Sequence, residues 1–573
     1  MKSYIYVVVL FLWVILSCKK ESNAEKLATI IKTYETKREY DFDKYQSVEN
    51  TTKYYQAEAD FSLELKKQLE LVSIEGLSET EEISRTLLLF VLQDKIDTNT
   101  YKMYLNTITN ETAFHLRLNN IADRTLNNKS DVIMYLEQLD KLPQKVHYNL
   151  DILRETIKEG IAQPRVIFHN YENTYEKYIV SNVTEIEFYK PFKSLPESFS
   201  KTLKDSIINV AQKSIQENVV HQYQKIKNFF EDEYFPNTRK GLGISTVPKG
   251  KEFYQNRVNY YTTSTKYTPN DIHKIGLKEV AKIKAEMQTI IDELGFKGSF
   301  VDFLEFLRTD KQFYPKTAKE LLMFARDISK RIDAQLPKFF KTLPRKPYGV
   351  VPVPEALAPN YTGGRYFSSE SKTVAGFYWV NTYNLPSRTL YTIPALTAHE
   401  AVPGHHLQIS LNNELPETIP QFRRELYLSA YGEGWGLYSE YLADEMNIYT
   451  TAYEKFGQLT YEMWRACRLV VDTGIHVKGW TRQQVLEYMA ANTALSIHEI
   501  TTETDRYISW PGQAISYKIG EIKIKELRKK AEFELQEKFD IRQFHEIILE
   551  QGTVTLPILE KRVDNYINKV KNE

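Results

Sequence analysis

Residues 399–406 read HEAVPGHH and hold three of the chain's 11 histidines. Imidazole is the commonest side-chain ligand of metals, and a neighbouring carboxylate can take a proton from water that a metal has activated. Zinc proteases place two histidines and an intervening glutamate on one helix for this chemistry. The spacing here is wider than in the common HExxH pattern. The segment therefore predicts a metal site in which His399 is a ligand and Glu400 is the general base.

A downstream glutamate can complete the ligand set. Glu433 lies 34 residues after His399, inside the segment YGEGWG at 431–436. A catalytic zinc typically takes three protein ligands and leaves its fourth position open. The pattern of apolar residues predicts one helix over 389–411 and another over 434–446, with Glu433 at the start of the second. Two histidines and Glu433 would then hold Zn²⁺.

The sequence leaves two candidates for the second histidine ligand, His405 and His406. In a straight helix His406 would share the face of His399, but about 10 Å further along the axis. A straight helix is unfavourable here, because Pro403 removes a hydrogen bond and clashes with the preceding turn. A bulge at Pro403 and Gly404 would re-aim both imidazoles.

Four segments carry a resemblance to a known family: HEAVPGHHLQ (399–408), YGEGWGLYSEYLADEM (431–446), VVDTGIHVKGW (470–480) and RYISWPGQAISYKIG (506–520). They resemble an uncharacterised family of bacterial lipoproteins in the zincin superfamily with an HEx(2)PGHH signature. The match runs from about residue 347 to residue 520. The family is distantly similar to angiotensin-converting enzyme and neurolysin.

This resemblance implies a mainly α fold: a large, helical, zincin-like metallopeptidase with a deep cleft and a small β-sheet beside the metal helix. Related zincins often have a glycine just before the second histidine, which favours His405 as the ligand. His406 would then contact substrate or support the site. A tyrosine often stabilises the oxyanion in such enzymes, and Tyr517 is the first choice for this role, with Tyr507 the second.

Other residues are predicted to contact substrate or support catalysis. Arg506 and Arg365 are rival candidates for binding a substrate carboxylate, because a guanidinium suits that geometry. His476 shares a helix face with Arg468 and Asp472. We expect these three residues to form a buried network that supports the site, with His476 near the substrate. A solvated salt-bridge ladder is the alternative.

The region 347–384 is rich in Val, Tyr, Pro and Gly. It predicts strands at 348–353 and 374–382. The second strand would be an edge strand that captures extended peptide, with Asn381 as a substrate contact. A purely structural hairpin is the alternative.

The first 17 residues resemble a lipoprotein signal peptide. Lys2 precedes an apolar run at 4–16 that is short for a membrane span. The run ends in ILSC at 15–18, which resembles a lipobox. We therefore expect Cys18 to be lipidated and the protein to be anchored to a bacterial membrane in the cell envelope. An ordinary secretory signal is the alternative.

Composition sets further bounds. Lys+Arg and Asp+Glu are equal at 75 each, which gives no argument for a nucleic-acid partner. We expect a tether at 18–30, a helical region at 31–245 that walls the cleft, and a catalytic region at 246–573. The sequence does not determine the oligomeric state.

These features predict a zinc metallopeptidase that hydrolyses short peptides, with Glu400 as base. Two alternatives remain open. One is a non-catalytic lipoprotein that binds peptide or metal, although binding alone does not require Glu400. The other is a metal-dependent amidase or esterase.

Overall fold

The computed structural model describes residues 21–37, 46–355, 357–358, 361–369, 371 and 373–573. The signal peptide and Cys18 lie outside this range. Within it the chain is mostly helical with one small sheet, so the prediction of a mainly α protein with a small β-sheet is confirmed. None of the described helices is both long and apolar enough to cross a membrane.

The described α-helices are α1 Asn23–Thr36, α2 Val48–Glu70, α3 Glu79–Thr100, α4 Lys129–Asp140, α5 Leu142–Lys158, α6 Lys201–Ile215, α7 His221–Asn228, α8 Gly250–Thr262, α9 Pro269–Glu293, α10 Phe300–Thr309, α11 Ala318–Asp333, α12 Leu336–Phe339, α13 Ile393–Glu400, α14 His405–Asn413, α15 Gln421–Glu425, α16 Ser429–Glu445, α17 Ala452–His476, α18 Arg482–Asn492, α19 Ile497–Ser509, α20 Ser516–Leu535, α21 Ile541–Leu549 and α22 Leu556–Asn572. The strands are β1 Tyr348–Pro352, β2 Gly364–Phe367 and β3 Gly376–Val380.

Helices α9 and α18 begin at threonine caps. Thr268 caps α9 through a capping box with Asp271, and Thr481 caps α18 through a capping box with Gln484. In each, a hydroxyl and a side-chain carbonyl or carboxylate satisfy amides that the first turn leaves free. The helix predicted over 434–446 begins earlier, at Ser429, so Glu433 lies inside α16 rather than before it.

The predicted tether is shorter than expected. Helix α1 begins at Asn23, and Ser22 caps it with Glu25 in a capping box. Leu27 and Ile30 on α1 are buried in a hydrophobic cluster. Residues 23–30 are therefore part of the folded protein, because they bury an apolar face that a free tether would expose.

The sheet has the strand order β1-β3-β2, with β1 parallel and β2 antiparallel to β3. Strands β1 and β3 correspond to the two predicted strands, and β2 was not predicted. The prediction that 374–382 is an edge strand is wrong, because β3 pairs on both sides. Its backbone groups are already used within the sheet, so it has no free edge for a peptide. The edge strand that reaches the histidine helix is β2.

The helix predicted over 389–411 is broken into α13 and α14. The Val402–Pro403 peptide bond between them is cis. Gly404 lies against the end of α13, where an added Cβ would be 1.9 Å from the carbonyl oxygen of His399. The indole nitrogen of Trp435 on α16 donates to the Pro403 carbonyl at 2.8 Å. The break is therefore a packed and hydrogen-bonded feature rather than a frayed helix end.

The two largest hydrophobic clusters each combine distant parts of the chain. One takes its members from 108–313 and 391–514, and the other from 27–92 and 328–567. Both clusters therefore include residues from either side of the predicted boundary at 245/246. That boundary does not separate two cores. Helix α16 packs along α20 and α17 packs along α9, which places the predicted site segments at the centre of the described structure.

The close contact at Gly404 predicts a large effect of one methyl group. Gly404→Ala should lower the free energy of unfolding by about 1–3 kcal/mol or more, because its Cβ must displace backbone rather than a flexible side chain. Chemical denaturation measures this change. Gly363→Ala is the matched control, since its Cβ would have no neighbour nearer than 3.9 Å. Equal effects of the two substitutions would contradict this account of the break.

Candidate metal centre

Three predicted ligands converge in the structure. Nε2 of His399 and Nε2 of His405 each lie 3.4 Å from Oε2 of Glu433. One donor atom from each of the three residues lies within 4.8 Å of the other two. A tetrahedral zinc with ligands at 2.0–2.1 Å separates those ligands by about 3.3 Å. The donor types and the two separations from Glu433 therefore fit Zn²⁺, whereas the 4.8 Å limit on the whole set is wider.

Each ligand comes from a different helix. His399 lies near the end of α13, His405 is the first residue of α14, and Glu433 lies in α16. Gly436, one turn after Glu433, lets α16 approach the His399 ring, because an added Cβ would be 2.7 Å from its Cε1. The break before His405 and this small residue bring the three side chains together.

Glu440 orients the His399 ring. Its Oε1 lies 2.8 Å from Nδ1 of His399, and its side chain is fully buried. The other ring nitrogen therefore faces Glu433, and a carboxylate behind a ligating histidine typically fixes this orientation. Nη2 of Arg465 lies 3.5 Å from the same carboxylate oxygen. Sequence analysis missed Glu440, although it follows Glu433 by seven residues, two helical turns along the same face.

Charge is concentrated at this centre. Burial would by itself raise the pKa of Glu433, but the two imidazoles hold that pKa well below its usual range. Burial would likewise lower the pKa of His399, yet its hydrogen bonds to Glu433 and Glu440 raise that pKa to about 10. An imidazolium thus balances the carboxylates when no metal is bound.

His406 points to the sheet and not to the other ligands. Its Nδ1 lies 3.1 Å from the Tyr366 hydroxyl, and its ring packs against Tyr348 with centroids 4.6 Å apart. Burial lowers the pKa of His406 to about 4. The structure therefore groups His405, and not His406, with His399 and Glu433.

Glu400 is held by the edge strand of the sheet. Its Oε2 accepts a hydrogen bond from the backbone N–H of Tyr366 on β2 at 2.8 Å. Glu400 is 9% exposed, so the carboxylate is buried except for a small solvent-facing area. The Glu400 charge acts on His399, which precedes it in the chain, but Glu400 is not among the three grouped donors.

A tyrosine that sequence analysis missed contacts the centre from the open side. The Tyr427 hydroxyl donates to Oε1 of Glu433 at 3.0 Å. Tyr427 is 44% exposed, whereas the side chains of His399, His405 and Glu433 are 3%, 10% and 15% exposed. Tyr427 is therefore the most exposed of these four residues.

Tyr517 lies among arginines. The guanidinium of Arg468 is 4.5 Å from its ring centroid, and Tyr517 is 9% exposed. Arg506 donates to Gln513 at 2.7 Å and lies 3.3 Å from a Glu503 oxygen, so part of its charge is balanced.

Arg365 is exposed on β2, next to the residue that binds Glu400. Burial would lower its pKa, but interactions with Tyr361, Glu400 and Tyr517 raise it. Arg365 and Arg506 therefore both stay cationic, and Arg365 is the more accessible of the two.

Two residues predicted to act near substrate have structural roles instead. His476 is fully buried; its Nδ1 accepts from the Ile244 N–H at 3.0 Å and its Nε2 donates to the Tyr507 carbonyl at 2.9 Å. The Tyr507 hydroxyl accepts from Trp464 and Arg468, each at 2.9 Å. The polar atoms of both buried side chains are bonded within the protein, so the structure gives no support for direct contact of either one with substrate.

Asn381 also differs from its prediction. It is fully buried, its amide nitrogen donates to the carbonyls of Ala358, Tyr361 and Thr362, and its oxygen accepts from Tyr383. It organises the loop before β2 and has no group left for substrate.

A family model matches residues 35–563, and its description is "Bacterial protein of unknown function (DUF885)". The chain belongs to this family. No curated protein matches the chain.

Two solved structures are similar over nearly the whole length. The crystal structure of a "putative lipoprotein" from Colwellia psychrerythraea has a TM-score of 0.81 and 25% identity, and covers 91% of this chain and 92% of that one. The structure of a "putative lipoprotein of unknown function" from Shewanella oneidensis has a TM-score of 0.66 and 16% identity, and covers 94% of this chain and 99% of that one. The second likeness concerns the fold alone.

The charge on His399 predicts a pH-dependent stability of the metal-free protein. Its pKa rises from about 6.5 in the unfolded chain to about 10 in the folded one. The stabilisation is therefore fully present below about pH 6.5 and is lost as pH rises through about 10. In the presence of a chelator, the natural protein should have a higher free energy of unfolding than His399→Gln at pH 6. This difference should become smaller as the pH rises to 10.

The exposed His147 provides the control for this measurement. The natural protein and His147→Gln should differ little at either pH. A His399→Gln difference that stays constant over the same range would contradict the charged state assigned to His399.

Proposed function

We propose that this protein is a zinc-dependent peptidase of the cell envelope. The observation that carries the proposal is the convergence of His399, His405 and Glu433 beside the oriented carboxylate of Glu400. These three residues would hold Zn²⁺. When bound, Zn²⁺ supplies Lewis acidity, which lowers the pKa of water and polarises a carbonyl.

Glu400 would serve as the general base. The N–H of Tyr366 holds one carboxylate oxygen, which leaves the other to accept a proton from the attacking water. The same carboxyl group can then return the proton to the departing amine. Its small exposed area limits competing water, which strengthens the interactions of the carboxylate with its neighbours.

The tyrosine and arginines near the centre would recognise the substrate. Tyr517 is the proposed donor to the developing oxyanion, since neighbouring guanidinium groups favour negative charge there. Arg365 is the proposed anchor for a substrate carboxylate, because its guanidinium is accessible whereas that of Arg506 is engaged with Gln513 and Glu503.

The proposed location combines two observations. The lipobox-like segment ILSC ends at Cys18, and the similar solved structures are each described as a "putative lipoprotein". We propose that Cys18 carries the lipid and that the folded part, from α1 onward, does not span the bilayer.

Glu400→Gln tests the proposed base. A glutamine keeps an oxygen for the Tyr366 N–H but cannot accept the proton, so turnover should fall by orders of magnitude. The assay is hydrolysis of a mixed peptide library by the natural protein, with and without chelator, and by the variant. Metal content measured by elemental analysis should stay at about one zinc per chain in the variant. Near-normal hydrolysis by Glu400→Gln would refute the assignment.

His405→Ala and His406→Ala form a matched pair that tests the ligands. His405→Ala removes one of three donors and should abolish zinc binding, while His406→Ala should retain the metal because its ring contacts Tyr366 and Tyr348 instead. Elemental analysis and competition with a zinc chelator measure both. Retention of zinc by His405→Ala together with its loss in His406→Ala would reverse the assignment.

A further inference from the structure

The turn between α2 and α3 exposes two large apolar side chains. Leu71 is 84% exposed and Ile74 is 52% exposed, and the Leu71 value is the highest of any large hydrophobic residue in the described part of the chain. Apolar side chains exposed side by side can mark a surface that contacts a membrane or another molecule.

The turn is firmly held. Val72, between the two exposed residues, is 2% exposed and belongs to a hydrophobic cluster. The Nε of Arg85 on α3 donates to the Val72 carbonyl at 2.8 Å. The outward direction of Leu71 and Ile74 is therefore set by the packing of the residue between them.

The start of α1 lies at this same turn. The side-chain amide of Asn23, the first residue of α1, donates to the Glu75 carbonyl at 2.9 Å. Leu27 of α1 packs in the same cluster as Val72. The point where the folded protein begins and the two exposed apolar residues are thus parts of one surface.

The chain before α1 is short. Cys18 precedes Asn23 by five residues, which span at most about 17 Å when fully extended. A lipid on Cys18 would therefore keep Asn23 within this distance of the bilayer surface, and the α2–α3 turn that Asn23 bonds to close to it.

We propose that the α2–α3 turn is the membrane-contacting surface of this protein, with Leu71 and Ile74 inserted among the headgroups and upper acyl chains. The inference rests on the lipidation of Cys18. Burying one such side chain contributes about 1.5–3 kcal/mol. This free energy is too small to hold an untethered protein on a membrane. It is sufficient to hold the turn there once a lipid tether raises the local concentration of membrane. Glu70 and Glu75 flank the apolar pair and are exposed, so the insertion is shallow.

Single cysteines test the surface directly. Lipidation consumes the thiol of Cys18, and Cys467 is fully buried, so a new surface cysteine is the accessible thiol of the described chain. The full-length lipidated protein with Leu71→Cys or Ile74→Cys is labelled with an environment-sensitive fluorophore and reconstituted into phosphatidylethanolamine–phosphatidylglycerol vesicles. Met323→Cys, at an exposed residue of α11, is the matched control.

The expected result is a blue-shifted emission for labels at 71 and 74, with quenching by spin-labelled lipid, and neither effect at 323. Vesicle flotation is measured on the same samples. Labels at 71 and 74 that behave like the control while the protein floats would overturn the membrane contact and favour a protein partner for this turn. Failure of the protein to float would remove the lipid anchor on which the inference rests, and leaves the zinc assays unaffected.

Hydrogen exchange provides a label-free check. On vesicles, the amides of 71–77 should exchange more slowly than those of the same protein produced without residues 1–18 and measured in solution. The double variant Leu71→Ser/Ile74→Ser should lose this protection. Ile133→Ser/Met134→Ser, which removes two other exposed apolar side chains, should keep it. Equal protection in both double variants would also overturn the proposal.

Discussion

The approach of Gly404 to the carbonyl of His399 is the contact on which the candidate centre depends. At this contact α13 ends at Glu400, and α14 begins at His405. A continuous helix would have put His399 and His405 in different directions. With the break, both imidazoles face one carboxylate, and Trp435, from the helix that carries Glu433, bonds to the same break. The positions of the three proposed ligands therefore depend on the break between α13 and α14.

The buried charged side chains of this centre each lie beside a group of opposite charge. Glu433 is balanced by two imidazoles, His399 by two carboxylates, and Glu440 by Arg465. An unpaired charge at such depth would be costly, whereas a network in which each charge has a partner is tolerable. The arrangement also keeps the donor atoms in place for a metal. Pre-organisation of this kind reduces the rearrangement that binding requires.

The sequence was most informative where chemistry and local structure coincide. Threonine caps, the histidine pair, the break at Pro403 and the two flanking strands all follow from neighbouring residues. Glu440 and Tyr427 could not be recognised with equal certainty, since their roles come from contacts between separate helices. His476, Tyr507 and Asn381 show the opposite problem. Their residue types suit catalysis or recognition, but the packing around each of them uses every polar atom, and nothing in the local sequence reveals this.

Strand β2 is paired on one side only, and through Tyr366 it touches both Glu400 and His406. An element held from one side has more freedom than one held from two, so the direction of the Glu400 carboxylate depends on how firmly β2 is seated. A molecule bound along the unpaired edge of β2 would restrict that freedom. The Glu400 carboxylate would then be aligned only while the molecule is bound. Occupancy and reactivity would then be coupled through a four-residue strand, which is a form of induced fit.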